Sequence, residues 1–287
     1  MNEGYRIETV LSSDKPTLSF EFFPPKDEAG SISLRNSINE LMKVKPNFAS
    51  VTYGAMGSNQ DSSIAVVEHL SRLLPTVAHL TCIGATKSGI GDLLQKYQEF
   101  GVAGILALRG DKPRGVEDFP KSDYKFALDL VEQVRESTSL SVGVAAFPEK
   151  HPESESLEED VKVLRMKQDA GASFAMTQLF FDLDAYVSLV ERARSAGVTI
   201  PIIPGVMPIA NVRQVLRMAE MSGAAVPSEL EECLNLANNE DEARIIGMNY
   251  SVGLVKSLVS IGVPGVHIFT LNQHRAALQL VEEANLA

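Results

Sequence analysis

Within Ser19-Phe20-Glu21-Phe22-Phe23-Pro24-Pro25-Lys26, one carboxylate is set in an otherwise apolar run that two prolines bring to a stop. Removing a carboxylate from water disfavours its charged form, so Glu21 must keep its proton or find a specific partner, and either condition suits a proton donor. The same letters also fit a strand whose one polar residue faces solvent or a structural cation. Residue 21 does not decide the chemistry alone.

A second run, Ile105-Leu106-Ala107-Leu108-Arg109-Gly110-Asp111, ends in a cation, a glycine and an anion. Gly110 lets the backbone approach a ligand or adopt positive φ. The planar fork of Arg109 suits a phosphate or carboxylate, and Asp111 suits the hydrogen-bond donors of a heterocycle. An Arg–Asp pair that only closes a loop gives the same pattern. In Phe147-Pro148-Glu149-Lys150-His151-Pro152-Glu153, two prolines fix a loop that presents His151 to a polar ligand or to solvent. His79, inside Val77-Ala78-His79-Leu80-Thr81, is either a core histidine or a ligand contact. His69, His267 and His274 show no metal-ligand spacing, and no role is read for them.

These residues need elements to position them. Short apolar runs rich in β-branched residues, at 17–23, 48–53, 77–83, 105–109, 141–147, 174–180, 200–206 and 265–270, alternate with segments of helical periodicity. Residues 92–100 and 157–170 are examples of the latter, and Gly101, Gly171 and Gly197 follow helical stretches where a left-handed terminating residue is usual. Eight strand–helix units predict right-handed crossovers and a (β/α)8 TIM barrel, an α/β fold, with a doubly wound open sheet as the competing arrangement. Residues 211–262 exceed one crossover helix, and 211–221, 228–237 and 241–260 read as extra helices in the last crossover. Without a Pro/Gly/Ser-rich linker, residues 1–287 are expected to form one barrel domain. In such a barrel the C-terminal strand ends carry the chemistry. Glu21, Thr52, His79, Arg109 with Asp111, His151 and Gln178 fall at or beside six of them.

The net charge of −11 opposes nucleic-acid phosphates and anionic lipid, so no nucleic acid is expected as a partner. No segment has the ~20 apolar residues of a membrane span, and no basic region followed by an apolar stretch opens the chain, so no membrane partner and a cytoplasmic location are expected. Cys82 and Cys233 form no paired motif, and with no HxxxH pair no metal site is expected. The stretch 84–91 fails the phosphate-loop spacing, no GxGxxG follows the first strand, and no GxSxG elbow is present.

Taken in order with Val51-Thr52-Tyr53-Gly54-Ala55, Thr177-Gln178-Leu179-Phe180-Phe181-Asp182 and Phe269-Thr270-Leu271-Asn272, these motifs closely resemble the methylenetetrahydrofolate reductase family in its short bacterial form. The likeness runs from about residue 17 to 272. It implies a flavoprotein that uses FAD and takes a hydride from NADH or NADPH in a ping-pong cycle. It implies reduction of methylenetetrahydrofolate to methyltetrahydrofolate for methionine synthesis, in a homo-oligomer. Glu21 then corresponds to the acid that protonates the folate as its five-membered ring opens, and Asp111 to the aspartate beside flavin and pterin. FAD contacts carry over to Thr52, His79, Arg109, Gly110, Asp111, Ala127, Phe147, His151, Asp160 and Lys167. Substrate contacts carry over to Glu21, Thr52, Asp111, Gln178 and Gln214. Phe147 stands where some relatives have tyrosine, Gln273 where some have arginine, and Met218 where some have an aromatic residue. Two other readings of the barrel are a flavin-free folate-dependent methyltransferase or demethylase, which would have less use for the FAD contacts, and a non-catalytic binding protein.

Overall fold

Strands and helices alternate as expected in the computed structural model of the protein, which describes residues 6–53, 60–111 and 120–286. In chain order the strands are β1 (Thr17–Phe22), β2 (Phe48–Val51), β3 (Thr76–Thr81), β4 (Gly104–Leu108), β5 (Ser141–Ala146), β6 (Phe174–Thr177), β7 (Ile202–Ile203), β8 (Gly205–Val206) and β9 (Gly265–Phe269). All pairings among them are parallel, in the order β7-β6-β5-β4-β3-β2-β1-β9-β8.

The run expected at 200–206 is present but split. Pro204 has no N–H to give a ladder, so β7 pairs only with β6 and β8 only with β9. The Pro204 carbonyl still accepts the His267 N–H at 2.9 Å, so the two halves together form the seventh barrel strand and close the TIM barrel. The other strands end one to three residues earlier than the apolar runs do. Thr52, Arg109, Gln178 and Thr270 therefore belong to the loops that follow their strands.

The α-helices are α1 (Ile7–Val10) before β1, then α2 (Glu28–Leu41), α3 (Gln60–Ser71), α4 (Lys87–Glu99), α5 (Ala127–Ser137), α6 (Leu157–Asp169), α7 (Leu183–Ser195), α8 (Val212–Ser222), α9 (Ser228–Asn235) and α10 (Glu240–Ser260) between the strands, and α11 (His274–Glu283) after β9. Helices α8, α9 and α10 are the three extra helices expected of the last crossover. Side-chain oxygens of Asp27, Thr86, Ser156 and Asn239 cap α2, α4, α6 and α10 by accepting first-turn N–H groups. Gly101, Gly171 and Gly197 have φ of +73°, +111° and +81°, as the sequence predicts.

Period-2 alternation divides each strand between two environments. Leu18, Phe20 and Phe22 of β1 pack with Leu34, Ile38 and Leu41 of α2 in the large core between barrel and helices. A second core lies inside the barrel and consists of Ile7, Leu11, Phe48, Val77, Ala103, Leu106, Phe174, Met176 and Ile203. Helix α1 plugs that end. Its Ile7 N–H donates to Ser141 Oγ at 2.9 Å, and the Glu8 carboxylate accepts from Ser141 and Ser173 hydroxyls.

Candidate active site

Above the apolar plug, the inward positions turn polar. Glu21, on β1, is 6% exposed, and β1 is flanked by β2 and β9 in a register that pairs Glu21 with Ser50 and Phe269, and Ser19 with His267. Two imidazoles address the same carboxylate oxygen: His267 Nε2 lies 3.4 Å from Glu21 Oε2, and His79 Nε2 lies 3.6 Å from it. Glu21 therefore has the specific partners that its setting requires. Oε1 takes no hydrogen bond from a described residue.

His267 is fully buried, with its ring stacked on Phe48 at 6.1 Å and met edge-on by Phe269 at 5.5 Å. Its Nδ1 is 2.8 Å from Ser19 Oγ and its Nε2 is 3.2 Å from Ser50 Oγ. His79 Nε2 has no hydrogen-bond partner among the described residues. Burial lowers the His79 pKa below its ordinary 6.5, opposed by the charge of Glu21 and reinforced by His267, so its imidazole is neutral near pH 7.

The exit of β1 is pinned by the turn after β9. Thr270 Oγ1 donates to the Glu21 carbonyl at 2.6 Å, while the Asn272 amide accepts from Phe23 N–H at 3.0 Å and donates to the Phe23 carbonyl at 2.8 Å. Leu271 and Asn272 both have positive φ, +48° and +58°, which turns the chain sharply enough for these contacts. The Phe269-Thr270-Leu271-Asn272 motif thus acts by fixing Glu21.

At the exits of β4 and β5, both terminal nitrogens of Arg109 donate to Glu153, at 2.6 and 2.7 Å, in a bidentate fork. This pair, rather than one with Asp111, anchors the loop. Gly110 has φ of +90°, and a Cβ there would stand 2.6 Å from Ile83 Cγ2, so conformation and packing both require glycine. His151 accepts from Glu153 N–H at Nδ1 (3.1 Å), donates its backbone N–H to Asp160 Oδ2 (2.7 Å), and meets the Phe147 ring edge-to-face at 4.7 Å. Burial pushes the Lys167 ammonium below its ordinary pKa, and nearby Asp160 pulls the other way.

The structure thus brings Glu21 and His79 into one cluster, and Arg109, Phe147, His151 and Asp160 into another. Thr52 follows β2, hydrogen-bonded to the Phe22 carbonyl, and Gln178 follows β6, its N–H on the Ala146 carbonyl at 2.8 Å. Asp111 is exposed, and Ala127 is the buried first residue of α5. Gln214, in the first turn of α8, donates its backbone N–H to the capping Asn211 Oδ1 at 3.0 Å and shares no hydrogen bond with the other described candidates. Gly54 and Ala55 lie outside the described residues. A cleft is lined by Tyr53, Thr81, Ile83, Thr86 and Leu93, and neither Thr52 nor Glu21 is among its described lining residues. Sequence reasoning missed His267, Ser19 and Ser50. The available signal was parity, since residues 19 and 21 share a strand face and 267 alternates with apolar neighbours, but closure of β9 onto β1 was needed to read it.

The sequence profile of the family described as methylenetetrahydrofolate reductase matches residues 6–285. The 5,10-methylenetetrahydrofolate reductase of Salmonella typhimurium is 38% identical over 259 residues, 89% of this chain and 86% of that protein. That of Escherichia coli is 37% identical over the same shares. Methylenetetrahydrofolate reductase (NADH) 1 of Arabidopsis thaliana is 33% identical over 98% of this chain but 50% of its own length. Among solved structures, a Clostridium thermocellum protein that binds two copies of 5-methyl-5,6,7,8-tetrahydrofolic acid superposes with a TM-score of 0.66 over 98% of each chain. A dihydropteroate synthase of Xanthomonas albilineans superposes with a TM-score of 0.52 over 95% of this chain and 91% of that one. Each of these two is 14% identical and shares the fold. The profile match and the two bacterial enzymes, over nearly all of both sequences, make the chain a member of the methylenetetrahydrofolate reductase family.

Proposed function

We propose that the chain reduces 5,10-methylenetetrahydrofolate to 5-methyltetrahydrofolate in a ping-pong cycle, with FAD bound and NADH or NADPH as hydride donor. Within one barrel domain, the observation that carries this reading is Glu21: a buried carboxylate at a strand end with two imidazoles facing one oxygen, and with no described residue hydrogen-bonded to the other. When bound, FAD supplies the hydride relay between the nicotinamide and the folate.

The residues present fit that cofactor. Arg109 already grips two carboxylate oxygens in its fork, the recognition that a diphosphate requires, and Lys167 is a desolvated cation for which an anion is a favourable neighbour. Thr52, His79, Gly110, Asp111, Ala127, Phe147, His151 and Asp160 complete the proposed set. Glu21 gives its proton to the ring nitrogen that is released as the five-membered ring opens, which leaves a cationic iminium carbon. Asp111 places a negative charge near that cation, and Gln178, donor and acceptor in one amide, orients whichever ring system occupies the face. Thr52 and Gln214 are the further proposed folate contacts.

The product methyl group would serve methionine synthesis, and the cytoplasm is the proposed location. Among the described residues no helix is long and apolar enough to cross a membrane. Exposed Met221, Leu236 and Ile245 on or beside the extra helices support assembly into a homo-oligomer. The test is anaerobic reduction of the bound flavin with each nicotinamide, followed by reoxidation with methylenetetrahydrofolate. A yellow protein that completes both halves is expected, and a colourless one that takes up no FAD overturns the reading.

A further inference from the structure

We propose that His267 is the positioning residue for Glu21: its Nε2–H, held in that tautomer by Ser19, donates to Oε2 and leaves Oε1 to carry the transferable proton. This inference rests on the general-acid role given to Glu21 above.

Which ring nitrogen of a histidine carries the proton is set by the hydrogen bond that the other nitrogen makes. The Ser19 hydroxyl has two acceptors within reach, His267 Nδ1 at 2.8 Å and the Val266 carbonyl at 3.4 Å. Donation by the hydroxyl along the shorter contact, to Nδ1, is the proposed arrangement, and it leaves the imidazole proton on Nε2. That N–H faces two oxygens, Ser50 Oγ at 3.2 Å and Glu21 Oε2 at 3.4 Å. An acid whose Oε2 accepts a hydrogen bond keeps its own proton on Oε1, the oxygen to which no described residue donates. After the proton leaves, the same N–H donates to a full carboxylate, where charge-assisted hydrogen bonds are shorter and stronger. The device therefore aims the proton before transfer and stabilises the carboxylate after it.

The surroundings keep the imidazole fixed. Phe48 and Phe269 hold the ring on its face and edge, and His267 has no exposed surface from which to exchange protons directly with water. Among the described residues, the ionisable groups facing Glu21 are His79 from β3 and His267 from β9, and β2 sets Ser50 opposite it. His79 lies farther from Oε2 and makes no hydrogen bond through Nε2 among the described residues, so His267 is the better placed of the two.

Two measurements test the assignment. Long-range 1H–15N correlation spectra of the wild-type protein should show His267 with Nε2 protonated and Nδ1 bare, Ser19→Ala should disturb that pattern, and Glu21→Gln should shift the Nε2 signal. In stopped flow, His267→Leu should slow flavin reoxidation by methylenetetrahydrofolate about 10–100-fold, the scale of a misaligned reacting group. Flavin reduction by the nicotinamide should be unchanged, and His267→Gln, which keeps an N–H near the same place, should recover part of the loss. A proton on Nδ1, equal slowing of both half-reactions, or no slowing in either would overturn the proposal. If the wild-type protein does not accept methylenetetrahydrofolate, the functional reading fails, while the spectra still decide whether His267 donates to Glu21.

Discussion

At the N-terminal end of the barrel, Ile7, Phe48, Val77, Phe174 and Ile203 fill the interior with no exposed surface; two residues further along β2 and β3, Ser50 and His79 face Glu21, whose carboxylate His267 also reaches. A step of two residues is roughly 6.6 Å along a strand, so the apolar and polar layers are adjacent. One layer gains free energy by removing apolar surface from water. The other holds a carboxylate and two imidazoles whose burial costs free energy unless hydrogen bonds and partners offset it. The lower layer thus supplies the rigidity on which the upper layer depends, and substitutions in the two should separate stability from chemistry.

The largest separation is expected for Glu21→Gln, which should suppress folate-dependent flavin reoxidation by about 10²–10⁴-fold, the usual worth of a general acid. Stopped-flow traces should show nicotinamide-dependent flavin reduction unaltered, and thermal unfolding should shift little. A large fall in Tm would mean that the polar layer also carries the fold.

Next in size is Phe174→Ala in the lower layer. Loss of a fully buried ring should cost about 3–5 kcal/mol in a denaturant titration. The ratio of the two half-reaction rates should stay as in the parent protein. A changed ratio would show that the layers are mechanically coupled.

A smaller effect is expected of Ser141→Ala, which deprives Ile7 N–H of its acceptor and Glu8 of a donor. Its cost should be about 1–3 kcal/mol in the same titration. Loosening of α1 should be visible as faster amide exchange at Ile7. Unchanged protection there would mean that packing alone holds the plug.

The smallest effects concern pH, where the two layers should act in different ranges. The folded-state pKa of His79 is lowered from 6.5 by burial, so the unfolded chain binds more protons and stability falls as pH drops below about 6.5. Glu8 behaves similarly lower down. Burial raises its pKa, but hydrogen bonds from Ser141 and Ser173 outweigh this and leave it below 4.5, so its contribution is present above that value and lost beneath it. Urea midpoints across pH should therefore show His79→Gln flattening the upper part of the acid limb and Glu8→Gln only the lower part.

Much of this was legible in the chain. The strand runs end where the barrel strands end to within a few residues, because alternation and glycine stops are local signals. Glu21 was conspicuous because one polar residue in an apolar run has few structural uses. The plug formed by α1 was not read, since four residues carry too little periodicity to announce a helix and its hydrogen bonds go to Ser141 and Ser173, more than 130 positions away. The split at Pro204 was hidden as well, since a proline in a short apolar run does not say which neighbour each half will pair with.

His267 marks the boundary most clearly. Sequence alone determined that it alternates with Val266 and Ile268 and therefore faces opposite to them, because side chains of an extended chain point to alternate sides. It could not determine what stands on that side. Only closure of the barrel pairs β9 with β1 in the register that sets Ser19 opposite His267 and brings Glu21 within reach of its Nε2. Local stereochemistry chooses a residue's face; non-local strand pairing chooses its partners.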